Sequence, residues 1–298
     1  MIRLGIDLGG TKIEIIALDE RGNEILRERT PTPQMDYPAT LDSIKNLILE
    51  TESTLGTQGS IGIGMPGALS VATGLVKNSN SVALNGKPLK QDLEKNLGRE
   101  IRITNDANCF ALSEASDGAG KDDNVVFGVI VGTGTGGGIV INKKVLIGPN
   151  AIAGEWGHNP LPWPQQNELP GPDCYCGKKG CIETFLSGPG MANDHLRVTG
   201  NRLSAPEIIE ALKQGDQDCE ATLQRYEDRM ARATAHVINI LDPDVIVLGG
   251  GMSNIQRLYE NVPQLWKKYV FSDRVDTKLR QPVYGDSSGV RGAAWLWD

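Results

Sequence analysis

The sequence predicts an α/β protein built from two related halves. Three observations carry this. Apolar strand-like runs alternate with stretches of helical period, several of those runs open into clustered glycines, and each half begins with strand, glycine turn, strand. The chain has 298 residues, enough for one large or two medium domains and for a real core without disulfide staples. Glycine accounts for 36 of them, about 12% against a usual ~7%. There is no G-X-Y period, so collagen is excluded. Glycine clustered between apolar runs marks tight turns or backbone that approaches a ligand.

Residues 2–7 and 13–18 are apolar and joined by Leu8-Gly9-Gly10-Thr11-Lys12, the pattern of a β-hairpin. Residues 38–55 place Leu41, Ile44, Leu47 and Ile48 on one helical face, and Gly56 stops the helix. Short strands follow at 61–65, ending in Pro66-Gly67, and at 101–104, leading through Asn105-Asp106 into a helix to about Ser116. The glycine- and charge-rich stretch 117–124 is the candidate boundary. It divides the chain into domains 1–118 and 119–298, with a C-terminal helix at about 286–298 expected to pack back on the first. Beyond it come an apolar strand at 125–131, the run Gly132-Thr133-Gly134-Thr135-Gly136-Gly137-Gly138, and a strand at 139–141. Residues 160–174 read as loop, Ser204-Ala205-Pro206-Glu207 as a capping-box helix start, and 218–241 as a long amphipathic helix. A buried strand at 245–248 runs into Gly249-Gly250-Gly251, and 289–297 closes the chain as a short helix.

Charge narrows the partners. Thirty Lys and Arg against 37 Asp and Glu leave a formal charge of −7, with no basic run, so no nucleic-acid partner is expected. No apolar stretch approaches the ~18 residues of a membrane helix. Asp7 interrupts the N-terminus before a signal sequence could form, and the expectation is a soluble cytoplasmic protein without a membrane partner.

Three glycine clusters can hold an anion. In Gly5-Ile6-Asp7-Leu8-Gly9-Gly10-Thr11-Lys12, backbone N–H groups can approach a phosphate, and Asp7 at a strand end can hold a water of Mg²⁺. The Walker spacing is absent, and an ordinary hairpin turn is the alternative. Gly132, Thr133 and Gly134 open a run with more glycine than a hairpin needs. Gly249, Gly250 and Gly251 follow a strand end, the usual nucleotide position in α/β folds. In this order the three resemble the two phosphate segments and the adenosine segment of the superfamily of sugar kinases, heat-shock ATPases and actin. That resemblance implies two RNase-H-like domains (the actin/hexokinase-like ATPase fold) with ATP in a cleft between them.

Asn105-Asp106-Ala107-Asn108 lies where a strand enters a helix. Asp106 is either a base for the attacking hydroxyl in phosphoryl transfer or simply the helix cap. His158 with Cys174, Cys176 and Cys181 supplies one imidazole and three thiols, the donor set of a closed structural Zn²⁺ site in a loop spanning 155–183. The alternative is three reduced cysteines in a loop. Such a knuckle would hold Glu155 near Glu183, two carboxylates suited to sugar hydroxyls. His195 and His236 read as packing residues, and Trp163 either edges the sugar site or packs its own loop.

Glu155-Trp156-Gly157-His158 followed by Cys174-Tyr175-Cys176-Gly177-Lys178-Lys179-Gly180-Cys181-Ile182-Glu183 resembles the signature of the ROK family of repressors, open reading frames and kinases. The resemblance runs from Gly5 to Ala294. It implies Asp106 as base, and Asn105, Glu155, His158 and Glu183 around a hexose, with Gly67 and Asn80 as further contacts. Asn78-Ser79-Asn80 departs from the N-x-P-N form of relatives. Within the family, Glu155-Trp156-Gly157-His158-Asn159-Pro160-Leu161-Pro162-Trp163 looks most like bacterial fructokinases of the manno(fructo)kinase type. The implied reaction makes fructose 6-phosphate from fructose, with mannose as a further sugar and N-acetylglucosamine or glucose as alternatives. ATP, Mg²⁺ and Zn²⁺ are the implied cofactors and a homodimer the implied assembly. A sugar-sensing repressor of the family would need a DNA-binding segment ahead of the first strand, for which residue 2 leaves no room. An ATP-driven chaperone or filament protein would have no use for the Glu155, His158, Glu183 cluster.

Overall fold

A computed structural model describes residues 2–79 and 81–298. In chain order its elements are β1 (Arg3–Leu8), β2 (Lys12–Leu18), β3 (Glu24–Pro31), α1 (Tyr37–Leu55), β4 (Ser60–Met65), β5 (Ala68–Leu69), β6 (Val76–Lys77), α2 (Leu89–Leu97), β7 (Arg102–Asn105) and α3 (Asp106–Ser116). They continue with β8 (Val125–Val131), β9 (Thr135–Ile141), β10 (Lys144–Val145), α4 (Ile182–Leu186), α5 (Gly188–Thr199), α6 (Ala205–Lys213), α7 (Gln217–Leu241), β11 (Val245–Gly249), α8 (Arg257–Trp266), β12 (Lys278–Arg280) and α9 (Ser288–Ala294). Two five-stranded sheets run β3-β2-β1-β4-β7 and β10-β9-β8-β11-β12. In the first, β1–β2 and β2–β3 are antiparallel, while β1–β4 and β4–β7 are parallel. In the second, β9–β10 is antiparallel, and β8–β11 and β11–β12 are parallel. The chain forms two compact units. One comprises Met1–Asn124, Gly138–Ala153 and Val283–Asp298, the other Val125–Gly137 and Gly154–Pro282.

In the first unit Asp36 caps α1 by accepting from the Ala39 N–H at 3.0 Å, and Gly56 ends it in the left-handed region at φ 66°. Ile44, Leu47 and Ile48 of α1 share one core with Leu4, Ile6, Ile13 and Ile15 of the sheet and with Leu89 and Leu93 of α2. Gly5 and Gly62 face each other in register across β1 and β4. A Cβ on Gly62 would stand 1.8 Å from the Ala293 carbonyl oxygen, and one on Gly5 2.1 Å from that of Val290. On α9 itself, a Cβ on Gly292 would stand 1.6 Å from the Cys109 oxygen of α3. The final helix therefore lies directly on strand and helix backbone.

β3 escapes a sequence reading because Glu24, Arg27, Glu28 and Arg29 break its apolar alternation. It is an edge strand, where charge blunts unwanted pairing. β9 starts at Thr135, inside the glycine run rather than after it.

In the second unit the proline-rich loop is tied to α7. Glu168 Oε1 accepts from Arg229 Nε and Arg232 Nη2, both at 2.7 Å, and Asp194 takes Arg229, Arg225 and Arg197. Burial pushes the Glu168 carboxyl up, but the hydrogen bonds from Arg232 and Arg229 outweigh it and hold it at about 2.

Gly62→Ala or Gly292→Ala should force backbone apart and destabilise the protein by about 3 kcal/mol or more. Gly56→Ala, where a Cβ meets nothing within 4 Å, should cost about 1 kcal/mol through its positive φ alone. Thermal unfolding of the three variants checks this, and equal losses would contradict the seating of α9.

Candidate active site

In the first unit Asp7 sits near the end of β1, paired in register with Glu14 of β2. The turn between the strands is held by Gly9 N–H on the Lys12 oxygen at 3.0 Å, by Thr32 N–H on the Thr11 oxygen at 3.0 Å, and by the Thr32 hydroxyl on the Gly9 oxygen at 2.7 Å. Gly9, Gly10, Thr11 and Lys12 are thus presented on a braced hairpin. A Cβ on Gly10 would come no closer than 3.6 Å to Ser81 Oγ, a buried hydroxyl with no partner among the described residues. Burial, then the charges of Asp106 and Glu14, push the Asp7 carboxyl up from 3.8 to about 6 against the opposing pull of Lys12.

Asp106 is the first residue of α3 and is exposed. The cap is its neighbour: Asn105 Oδ1 accepts from the Asn108 N–H at 2.7 Å. Asp106 Oδ1 accepts from the adjacent Ala107 N–H at 2.8 Å. The carboxylate therefore stands at a helix start whose capping is done by another side chain. Gly67 has φ 81°, and a Cβ there would stand 2.7 Å from Ser79 N, so the Pro66-Gly67 turn lies against the Asn78-Ser79 segment. Asn80 lies outside the described residues.

In the second unit the glycine segment is pinned at several points. Gly132 N–H donates to the Gly134 oxygen at 2.9 Å, and Gly188 N–H to the Gly132 oxygen at 2.8 Å. Glu183 Oε2 accepts from the Thr135 N–H at 2.9 Å. A side chain on Gly134 would strike that carboxylate at 2.8 Å. Gly249 is buried within β11. At Gly250, φ is 77° and a Cβ would stand 2.5 Å from the Val131 oxygen. Gly251 has nothing within 4 Å of such an atom, and Gly132 only the Gly251 nitrogen at 3.9 Å. Thr133 is exposed, while Thr135 Oγ1 is buried and unpartnered among the described residues. Open backbone and an orphaned hydroxyl suit an anionic ligand.

Glu155 is exposed at the start of the turn Trp156–His158. One donor atom from each of His158, Cys174, Cys176 and Cys181 lies within 4.8 Å of the others. His158 Nδ1 is 3.6 Å from Cys174 Sγ, and Cys176 Sγ is 3.6 Å from Cys181 Sγ. Tetrahedral Zn–S and Zn–N bonds imply donor separations of about 3.6–3.8 Å, so the donor set fits zinc in number, chemistry and spacing. The loop folds onto itself through Cys174 N–H on the Lys178 oxygen and Gly177 N–H on the Cys174 oxygen, with Gly177 at φ 85°. His158 Nε2 meets the Tyr175 hydroxyl at 3.0 Å, as the second nitrogen of a metal-bound imidazole commonly does.

The segment Asn159–Trp163 is engaged by its surroundings. The Asn159 oxygen takes the Ile182 N–H, and Leu161 N–H donates to the Gly180 oxygen. Arg232 Nη1 donates to the Pro162 and Trp163 oxygens, and the Trp163 ring stacks on Tyr269 with centroids 5.6 Å apart. His195 is buried, with Nδ1 on the Thr222 hydroxyl at 2.9 Å.

The sequence model of the ROK family matches residues 3–298. The chain belongs to the ROK family. It is 42% identical over 296 residues to an N-acetyl-D-glucosamine kinase of Vibrio atlanticus (strain LGP32), covering 98% of each chain. Among solved structures it resembles a ROK hexokinase of Thermus thermophilus, at 29% identity and TM-score 0.88, over 99% of this chain and 97% of that one. It also resembles a ROK glucokinase of Streptomyces griseus in complex with glucose and AMPPNP, at 26% identity and TM-score 0.77, over 99% of both. This ROK protein is an ATP-dependent sugar kinase with the actin/hexokinase-like fold. No helix among its described residues is long and apolar enough to cross a membrane.

The sequence assigns no role to three polar groups of the ROK kinase: Ser81, Thr135 and Trp156. Thr135 stands inside the glycine run, so its position was visible. Its orphaned hydroxyl was not.

The raised Asp7 carboxyl has a consequence for stability. Its folded-state value exceeds the ordinary one, so ionisation costs the folded state, and stability is lost as pH rises from about 4 to about 6. The ligand-free Asp7→Asn variant should match wild type in Tm near pH 4 and exceed it above pH 6. A Tm gap that does not change with pH would contradict this.

Proposed function

We propose that the chain transfers the γ-phosphoryl group of ATP to the 6-hydroxyl of a hexose, with N-acetyl-D-glucosamine preferred. The observation that carries the reaction is Asp106, a carboxylate exposed at a helix start that Asn105 caps instead. Asp106 accepts the proton of the sugar hydroxyl as its oxygen bonds to the γ-phosphorus and the bond to the β-phosphate bridging oxygen breaks. Asn105, Glu155, Glu183, the Gly67 backbone and Asn80 are assigned to the sugar. His158 has two tasks: Nδ1 faces the thiols, so a sugar hydroxyl must use Nε2, where Tyr175 now stands.

The backbone of Gly9, Gly10, Gly132 and Gly134, with Thr11, Lys12 and Thr133, is assigned to the phosphates, and Gly249, Gly250 and Gly251 to the adenosine. Asp7 would hold Mg²⁺, which neutralises charge on the triphosphate. A dication favours the ionised carboxylate that burial disfavours, so protons should compete with the metal below pH 6. His158, Cys174, Cys176 and Cys181 are assigned to one Zn²⁺ per chain, with no open position for substrate.

The sugar is where two readings differ. The Vibrio atlanticus relative, at 42% identity over 98% of both chains, supports N-acetyl-D-glucosamine. Fructose rested on the resemblance of Glu155 to Trp163, and within that stretch Asn159, Leu161, Pro162 and Trp163 serve the knuckle, Arg232 and Tyr269. They therefore carry less weight as sugar contacts.

Steady-state kinetics should give N-acetyl-D-glucosamine a higher kcat/KM than fructose, mannose or glucose, and a higher value for fructose would restore the other reading. Asp106→Asn should keep sugar and ATP binding and lose about 10²–10⁴ in kcat. Near-normal turnover would remove Asp106 from its role. Protein purified without added metal should hold one zinc by elemental analysis, and Cys181→Ser should lose both the metal and several degrees of Tm. A zinc-free wild type would refute the knuckle assignment.

A further inference from the structure

We propose that Trp156 is a positioning residue for the nucleotide, its indole N–H holding the glycine segment 132–138 in the form that receives the phosphates. The inference rests on the reading that this segment binds ATP.

Trp156 is buried, and its Nε1 donates to the Gly136 oxygen at 3.1 Å. The ring meets Phe127 edge-on, with centroids 5.6 Å apart at 83°. A Cβ on Gly137 would stand 2.9 Å from Trp156 Cδ1 and 3.0 Å from Phe127 Cζ, so both rings lie close against the glycine backbone. The neighbouring Gly157 lies so close to the glycine segment that a Cβ there would stand 2.0 Å from the Thr135 oxygen. Glu183 holds the Thr135 N–H, and Gly188 N–H holds the Gly132 oxygen.

Five of the seven residues from Gly132 to Gly138 are glycine. Glycine loses more conformational freedom on ordering than any other residue, so such a run does not hold one shape by itself. Here Thr135 to Gly138 are held in β9, and residues of 156–188 add contacts from outside the sheet. The same stretch carries His158 and the three cysteines, so the knuckle and the part of the glycine segment from Gly132 to Gly137 belong to one unit. Trp156 touches this run by ring and by hydrogen bond and is not assigned to sugar, metal or ATP. Its N–H fixes the Gly136 carbonyl at the start of β9, next to the turn Gly132–Gly134.

The test is Trp156→Phe, which keeps an aromatic ring against Phe127 and removes the N–H. Calorimetry with a non-hydrolysable ATP analogue and Mg²⁺ should show affinity weakened about fivefold, the effect of one neutral hydrogen bond. Sugar affinity should stay within about twofold, and zinc content should be unchanged. Unchanged nucleotide affinity, or equal losses for nucleotide and sugar, would overturn the proposal, the second result marking a merely structural residue. Should the variant not fold, hydrogen exchange of the Trp156 indole N–H in wild type should slow severalfold on adding the analogue, and unchanged exchange overturns the proposal. A wild type that binds no nucleotide overturns the kinase reading and this inference with it.

Discussion

Backbone pressed against backbone, at distances only glycine permits, is the constraint on which both units depend. In the first, Gly5 and Gly62 let α9 lie on β1 and β4, and Gly292 lets α9 lie on α3, whose first residue is Asp106. In the second, Gly157 meets the Thr135 carbonyl and Gly250 that of Val131. Each contact sits at or beside a segment assigned to chemistry. Gly5 is two residues before Asp7, Gly157 one before His158, and Gly250 among the residues assigned to adenosine. Side chains at these positions would force backbone apart beside those segments.

Charge is arranged with the same economy of position. Glu14 is buried on β2 and ringed by Arg29 at 2.8 Å, Arg27 at 3.4 Å and Lys12 at 3.5 Å. Its neighbour in register, Asp7, is raised to about 6, first by burial and then by the charges of Asp106 and Glu14. Two adjacent carboxylates thus differ in readiness to accept a cation. Glu14 already has its cations, while Asp7 would gain from one. In the second unit Glu168 is satisfied by two arginines, and its task is to secure the loop that leads into the knuckle.

Much of this was legible in the sequence. The β1–β2 hairpin, α1, α3, α7 and β11 announced themselves through apolar period and glycine or asparagine boundaries. The four metal donors stood out because cysteine is scarce elsewhere in the chain. β3 did not, because an edge strand needs charge more than alternation. Asp106 could not be separated from a cap by sequence alone, since Asp suits both tasks, and the cap proved to be Asn105. Trp156 was readable only as a letter inside a motif, because its partner is a backbone carbonyl of a glycine twenty residues earlier. Trp163 was the reverse case. Its aromatic ring beside a sugar motif drew notice, yet it stacks on Tyr269.

The few polar groups assigned to the sugar would suit many hexoses, so choice among them is a finer matter than the chemistry itself. The central claim is sugar-dependent transfer to one hydroxyl, with N-acetyl-D-glucosamine ahead of fructose. Offering both sugars at equal concentration with limiting ATP and following the products by phosphorus NMR tests it most directly. The account predicts that N-acetyl-D-glucosamine 6-phosphate forms in excess. Fructose 6-phosphate in excess, or inorganic phosphate without a sugar ester, would contradict it.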